Sequence, residues 1–311
     1  MRVETNGAVL CVDAIGDPAD PVILLIMGAA GSMDRWEAPF CERLAAAGRR
    51  VVRYDHRDTG GSTTSPPGRP GYTGDDLAAD ALGILDHLGA ERAHLVGLSM
   101  GGAIVQRLAV EHPERVRSVT LMSTSPAGTG GPEYPALPGM SDALRAVFDG
   151  DGQPAEPDWS DREATIAFLL EAERPYAGPR GIDEAALRAV LGRAYDRSAN
   201  LASANNHFLL DGGGIVRARL ADITAPALVV HGTDDPLFPP AHGEALAREI
   251  PGAKLLLVDR LGHEFPPWAW EEVLPALIAV TGPRRQDGAG ARASSSSRAN
   301  PSEVMTSENM G

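Results

Sequence analysis

A serine framed by glycines, Gly97-Leu98-Ser99-Met100-Gly101, is the stretch of this sequence best suited to do chemistry. It is entered from the apolar run Ala93-His94-Leu95-Val96 and left through the helix-forming residues Ala103 to Ala109. A strand that turns into a helix within so few residues forces the middle residue into a strained conformation, and small neighbours let the two elements pack closely. The Ser99 hydroxyl then stands at the tip of the turn. Such a hydroxyl is a weak nucleophile at its own pKa. It needs a histidine to take its proton and a carboxylate to orient that histidine. Both occur downstream, in the order Ser, Asp, His. Gly232-Thr233-Asp234-Asp235-Pro236 follows the apolar run Pro226 to His231, and Leu261-Gly262-His263-Glu264 follows Lys254 to Val258. Asp235 is favoured over Asp234 because Pro236 restricts the residue before it to extended conformations. Asp259 reads as a strand-end surface residue. The stretch after Val116 to Met122 offers Ser123-Thr124-Ser125-Pro126 and no carboxylate.

Acyl transfer also requires donors for the oxyanion that forms on a substrate carbonyl. The amide of Met100 is one, at the start of a helix whose dipole favours negative charge. The second is expected in Met27-Gly28-Ala29-Ala30-Gly31-Ser32, with Ala29 donating and Gly28 making the turn possible.

These residues need elements to hold them. Each lies just beyond an apolar run, and an open parallel sheet gathers its functional loops at the carboxyl ends of its strands. Val22 to Ile26, Arg50 to Tyr54 and Val116 to Met122 read as further strands. Asp75 to Leu88 places Leu77, Ala81, Leu82, Ile84, Leu85 and Leu88 at helical spacing, and Ala241 to Ile250 also reads as a helix. The pattern predicts an α/β fold, a mostly parallel central sheet flanked by helices. Strand signals stop between Ser125 and about Ala221, where Arg162 to Glu173 and Asp183 to Asn200 are helix-like. The expected organisation is a core of residues 1–125 and 222–282 interrupted by a helical lid, 126–221, over the active site. Trp159, Phe168, Tyr176, Tyr195 and Phe208 either line a pocket for a bulky substrate there or pack the lid itself. From Pro283 onward apolar residues give way to Arg, Gly, Ala and a serine run, which predicts a disordered tail over 283–311.

The 311 residues, 43% of them hydrophobic, suffice for a full α/β core with one insertion. A formal net charge of −14 argues against nucleic acid and anionic membranes as partners. No apolar run is long enough to span a bilayer and Met1 to Asn6 has no signal-peptide core, so a cytoplasmic protein is expected. Cys11 and Cys41 lack metal or redox spacing and read as buried thiols. The sole lysine, Lys254, precedes a strand, which disfavours Schiff-base chemistry. No zinc-ligand spacing and no phosphate-binding loop occurs, so no metal or other cofactor is expected. Asp55, Arg57 and Asp58 lie where a strand enters a Gly-rich turn, and an arginine between carboxylates is expected to staple that loop. His56 and His231 read as packing residues, outside the Ser, Asp, His order.

Together the motifs resemble those of α/β-hydrolases, and more narrowly the aclacinomycin methylesterase group. The narrower likeness is carried by Leu24-Leu25-Ile26-Met27-Gly28, where many relatives have His-Gly, by Arg53-Tyr54-Asp55-His56-Arg57-Asp58-Thr59-Gly60-Gly61-Ser62-Thr63-Thr64, and by Val96-Gly97-Leu98-Ser99-Met100-Gly101. It extends over residues 1 to about 282 and weakens between about 127 and 221. The resemblance implies Ser99 as nucleophile, Asp235 as orienting acid, His263 as general base, and Ala29 with Met100 as oxyanion donors. It implies hydrolysis of a small lipophilic carboxylic ester, such as a methyl ester on a polyketide. The same elbow and triad also serve lactonases, aminopeptidases acting on N-terminal proline and cofactor-free perhydrolases. For an aminopeptidase, Glu171 or Glu173 would hold the substrate ammonium. A non-hydrolytic receptor or decarboxylating catalyst of the same fold is the remaining alternative.

Overall fold

Asn6-Gly7 turns the chain between two antiparallel strands, Arg2–Thr5 (β1) and Ala8–Ile15 (β2), with φ of 45° and 71° at the two turn residues. Such paired positive φ values match the right-handed twist of a hairpin, and Asn-Gly adopts them at little cost. The computed structural model describes residues 1–128, 131–150, 155–210 and 217–282. The tail expected over 283–311 lies outside the described residues.

Val22–Ile26 (β3) is buried at every position. Leu24 and Ile26 join one hydrophobic cluster, and Ile23 and Leu25 join the other. This is the two-sided burial of a central parallel strand, where alternate side chains enter opposite layers. Each such residue stabilises the fold by on the order of 1.5–3 kcal/mol, so a one-residue slip of register is strongly disfavoured. The chain continues through Ala38–Ala46 (α1), Arg50–Tyr54 (β4), Gly74–His87 (α2), Ala93–Leu98 (β5), Met100–Glu111 (α3) and Val116–Met122 (β6). After a long segment follow Ala227–Gly232 (β7), Ala241–Glu249 (α7), Lys254–Val258 (β8) and Trp270–Val280 (α8). The eight strands lie in the order β1-β2-β4-β3-β5-β6-β7-β8, with β1 and β2 antiparallel to their neighbours and the rest parallel. One hydrophobic cluster takes in side chains of α2 and α3, the other those of α1 and α8. Helix α2 begins at a capping box, where Thr73 Oγ1 accepts the Asp76 amide and Asp76 accepts the Thr73 amide at 2.8 Å.

Between β6 and β7 lie Asp142–Phe148 (α4), Arg162–Glu173 (α5), Glu184–Arg197 (α6) and a 3₁₀ stretch, Leu201–Leu209. Ile166, Leu170 and Leu191 form a small core of their own where α5 meets α6. Among the described residues no helix is long and apolar enough to cross a membrane.

The arginine staple takes a different form from the one the sequence suggests. Arg57 does not bridge Asp55 and Asp58. Its guanidinium pairs with Asp80 on α2 at 2.7 and 2.8 Å and donates to the Asn6 carbonyl. Asp55 instead faces Arg197 at the end of α6, at 2.8 Å, and accepts the amides of Met33 and Gly61. Asp58 accepts from Tyr72 Oη and Asn206 Nδ2, both at 2.8 Å. Adjacent side chains on a tight turn diverge, so each charge finds its partner on a different, distant element.

Asp80 is buried and Arg57 nearly so. Asp80→Ala should therefore leave a buried guanidinium unpaired and cost about 3–5 kcal/mol of stability in urea denaturation. A loss below about 1 kcal/mol would show that the pair does not hold the turn to α2.

Candidate active site

Ser99 occupies the corner between β5 and α3 with φ 53° and ψ −117°, a region that non-glycine residues enter at a cost of roughly 1–3 kcal/mol. Backbone contacts hold it there. Its amide donates to Met122 O at 2.9 Å, and its carbonyl accepts from Gly102 N and Thr124 Oγ1, both at 2.8 Å. A Cβ at Gly97 would lie 2.2 Å from Gly101 O, and one at Gly101 would lie 2.1 Å from Ile26 O. No side chain fits either position, so the glycines permit the corner through close approach of strand and helix.

Asp235 and His263 come together across 28 residues of sequence: His263 Nδ1 lies 2.9 Å from Asp235 Oδ2. Register explains the meeting. Strands β7 and β8 are neighbours with Gly232 opposite Val258, so their carboxyl ends open side by side. Asp234 N then donates to Leu261 O and Arg260 N to Thr233 Oγ1, tying the two loops together. Just beyond Pro236, the amides of Leu237 and Phe238 both donate to Asp235 Oδ1 at 2.9 Å. Asp234 points elsewhere, to Thr233 Oγ1, and Asp259 is exposed. Burial alone would raise the Asp235 carboxyl. The His263 hydrogen bond and charge, the Phe238 amide and nearby His231 outweigh it and hold the carboxyl below its ordinary value. Among the described residues Ser99 Oγ has no hydrogen-bond partner, and neither does His263 Nε2.

The loop after β3 reaches the serine corner. A Cβ at Gly28 would lie 3.2 Å from Ser99 Cβ, and Met27 O approaches Gly101. Neither the Ala29 nor the Met100 amide donates to a protein acceptor among the described residues. The next residue, Ala30, has φ 59° and gives its N–H to His207.

Two histidines behave as the packing residues the sequence suggests. His56 Nε2 donates to Met27 O at 3.0 Å, and burial pushes its pKa down to about 3. His231 Nε2 donates to Phe238 O at 2.7 Å and lies 3.6 Å from Asp235 Oδ2. Of the five aromatic residues singled out above, Tyr176 meets the site: its ring centroid lies 6.0 Å from that of His263, and its carbonyl accepts the His263 amide at 2.8 Å. Trp159 packs on Phe168, Tyr195 Oη donates to Trp159 O and Ser160 O, and Phe208 is exposed beside Phe148. Glu173 is paired with Arg35, and Glu171 with Arg174. Cys41 is buried, its thiol pushed up to about 12 by burial, whereas Cys11 is only half-buried, with Sγ 3.7 Å from an Arg197 nitrogen.

Other residues at the rim carry no motif. Arg197, Asn206 and His207 come from the segment between β6 and β7 and reach Asp34 with Asp55, Asp58, and Ala30 respectively. The helix-like pattern runs on to Asn200, past the end of α6 at Arg197, and only the folded chain names that residue's partners. Among the described residues no group of three or more His, Cys, Asp or Glu is placed to hold a metal ion. Neither of two surface cavities among the described residues is lined by Ser99. One of about 520 Å³ sits at the amino ends of β5 and β6, the edge opposite the serine, and one of about 370 Å³ lies beside Asp34, Glu37 and Arg53.

An eight-stranded, mostly parallel sheet with a serine corner, an Asp–His pair and a glycine-containing loop on one rim is the arrangement of the α/β-hydrolase fold. The chain belongs to that family, whose sequence profile matches residues 21–269. Among its relatives, rhodomycin D methylesterase DnrP of Streptomyces peucetius is 35% identical over 90% of this chain and 97% of its own. Rhodomycin D methylesterase DauP of Streptomyces sp. (strain C5) is 34% identical over 86% and 93%. Among solved structures, the enol-lactonase from Burkholderia xenovorans LB400 superposes with a TM-score of 0.65 at 25% identity, covering 90% of this chain and 97% of its own.

The Asp235 carboxyl has a folded-state pKa below its ordinary 3.8, so the stability it contributes should be full above about pH 4 and be lost as pH falls through the folded value. Denaturation of wild type and Asp235→Asn across pH 2.5–7 (about five steps) measures this. The gap should narrow at the acid end, and a gap that widens there refutes the assignment.

Proposed function

We propose that this protein is a serine hydrolase of carboxylic esters, with Ser99 as nucleophile, His263 as general base and Asp235 as the acid that orients it. The observation that carries the reading is the 2.9 Å contact of His263 Nδ1 with Asp235 Oδ2 on the same rim as a serine held at positive φ. A carboxylate on Nδ1 keeps the proton there and leaves Nε2 as the lone-pair end, the one that takes the serine proton. Among the described residues Ser99 Oγ and His263 Nε2 are both without protein partners. In free enzymes the hydrogen bond between nucleophile and base is often long and tightens when substrate binds.

The steps follow from these groups. Nε2 takes the Ser99 proton as Oγ attacks the ester carbonyl. The two carbonyl π electrons move onto oxygen, and the unpartnered amides of Ala29 and Met100 are the donors that receive it. Collapse breaks the bond to the alcohol, which leaves with the proton from Nε2. Water, deprotonated by the same nitrogen, then releases the acid and restores the hydroxyl.

A methyl ester on a bulky polyketide-like acid is the substrate we infer, supported by two rhodomycin D methylesterases at 35% and 34% identity over nearly the whole chain. The segment between β6 and β7 is the lid in this reading, supported by Tyr176 beside His263. An aminopeptidase is disfavoured because Glu171 and Glu173 are each engaged by an arginine rather than free for a substrate ammonium.

Ser99→Ala should lower kcat for a p-nitrophenyl ester by roughly four to six orders of magnitude and abolish fluorophosphonate labelling, while far-UV circular dichroism stays native. An active, folded Ser99→Ala variant overturns the mechanism. A panel of methyl aryl esters, lactones and prolyl anilides should show kcat/KM highest for the esters; preference for a lactone would overturn the substrate class and leave the nucleophile standing.

A further inference from the structure

His207 belongs to the 3₁₀ stretch between β6 and β7, far in sequence from the serine, the acid and the base. Its side chain nevertheless reaches the loop after β3. Nδ1 accepts the Ala30 amide at 2.9 Å, and Nε2 donates to the Arg57 carbonyl at 2.8 Å. One partner has only a hydrogen to give and the other only lone pairs. The ring is therefore the neutral tautomer with its proton on Nε2.

What this ring holds is a strained loop. Ala30 has φ 59°, a value that alanine adopts at a cost. The Gly28–Ala29 peptide, which carries the Ala29 N–H, shares its plane with a Gly28 carbonyl that accepts Gly31 N at a long 3.3 Å. Among the described residues the next peptide, Ala29–Ala30, is held by His207 alone, through its N–H. The peptide that carries the Ala29 amide and the one after it are thus held by a weak internal bond and one imidazole nitrogen. We infer that His207 is a positioning residue for the oxyanion donor Ala29, so that the segment between β6 and β7 takes part in setting the oxyanion hole as well as lying near the base. This rests on the assignment of Ala29 and Ser99 made above.

The surroundings keep the ring in the form this requires. It is 5% exposed, and burial lowers its pKa from the ordinary value. The His56 ring stands 5.7 Å away, edge-on, and the Tyr72 ring 6.4 Å away. The Asp58 carboxylate, which favours the protonated form, is engaged by Tyr72 and Asn206, and the Arg57 guanidinium faces Asp80. Protonation of Nδ1 would set a hydrogen against the Ala30 N–H and release the loop.

Two polar substitutions separate the ends of the ring. In His207→Asn, Oδ1 takes the place of Nδ1 and accepts from Ala30; in His207→Gln, the amide reaches the Arg57 carbonyl and the acceptor for Ala30 is lost. Rates are measured per serine titrated with a fluorophosphonate, so unfolded protein is not counted, on p-nitrophenyl butyrate and its thionoester. Removing an oxyanion donor costs about 10²–10³ in kcat, and misdirecting one should cost at least about tenfold. The expectation is such a loss in kcat for His207→Gln with KM little changed, near-wild-type kcat for His207→Asn, and a fall in the oxoester-to-thionoester rate ratio confined to His207→Gln. Equal losses in the two variants, or a loss with an unchanged ratio, overturn the inference. A wild-type protein whose serine is not labelled overturns the proposed mechanism itself and this inference with it. An arm that needs no variant is a ¹⁵N-histidine spectrum of the wild type. His207 Nδ1 should be unprotonated and should shift when a boronic acid closes on Ser99, and a protonated or unresponsive Nδ1 overturns the inference.

Discussion

The close approach of two backbones at the end of β5 is the constraint on which the rest of this structure depends. Gly97 lies against Gly101, and Gly101 lies against the carbonyl of Ile26 on the neighbouring strand, each at a distance that excludes a Cβ. Helix α3 can then start one residue after the strand ends, and Ser99 is driven to φ 53°. The strain is small beside the burial that enforces it. Ile26, Leu95, Val96 and Leu98 fill the two layers around the corner, each worth on the order of 1.5–3 kcal/mol against a corner cost of roughly 1–3 kcal/mol. The same contact brings the loop after β3 against the serine, so Ser99 and the loop that carries Ala29 are set by one packing event.

Electrostatics does the corresponding work for the segment between β6 and β7. Arg197 spans Asp34 and the fully buried Asp55, and Ser32 Oγ donates to Asp34 at 2.9 Å. Asn206 meets Asp58, Arg35 meets Glu173, and Tyr176 O accepts the His263 amide. These contacts all land on loops at the carboxyl ends of β3, β4 and β8, the rim that carries Ser99 and His263. Charged and polar partners from the segment between β6 and β7 supply directional contacts there that apolar packing does not. A segment with only a small core of its own is thereby joined to that rim at several points.

Legibility in the sequence followed physical range. Helix α5 spans Arg162–Glu173 as its pattern predicts, and α2 and α6 differ from expectation at their ends, where Thr73 and Asp183 cap them. The strands β3, β4 and β6 also coincide with their apolar runs, because burial on both faces of a sheet writes itself into consecutive residues, and β8 coincides with its run although it is an edge strand with Leu255 and Leu257 exposed. The hairpin of β1 and β2 went unread although Asn6-Gly7 carries a turn signal and Ala8 to Val12 is an apolar run; the short β1, Arg2–Thr5, mixes polar and apolar residues. Asp235 was legible through Pro236, whose stiffening effect is local. The pairings of Arg57 with Asp80 and of Asp55 with Arg197 were not, because a charge on a turn carries no mark of which distant element will face it.

By itself, the sequence determined strands β3 to β8, helices α2, α3, α5, α6 and α7, the strained corner at Ser99 and the placing of Asp235 and His263 just past strand ends, because each depends on burial pattern or backbone chemistry within a few residues. The tertiary structure alone decided that β7 and β8 lie side by side so that Asp235 meets His263 at 2.9 Å, and that His207 and Arg197 close on the loop after β3. Those contacts join residues from 28 to 177 positions apart, and contacts of that range exist only once the sheet has set which loops share an edge.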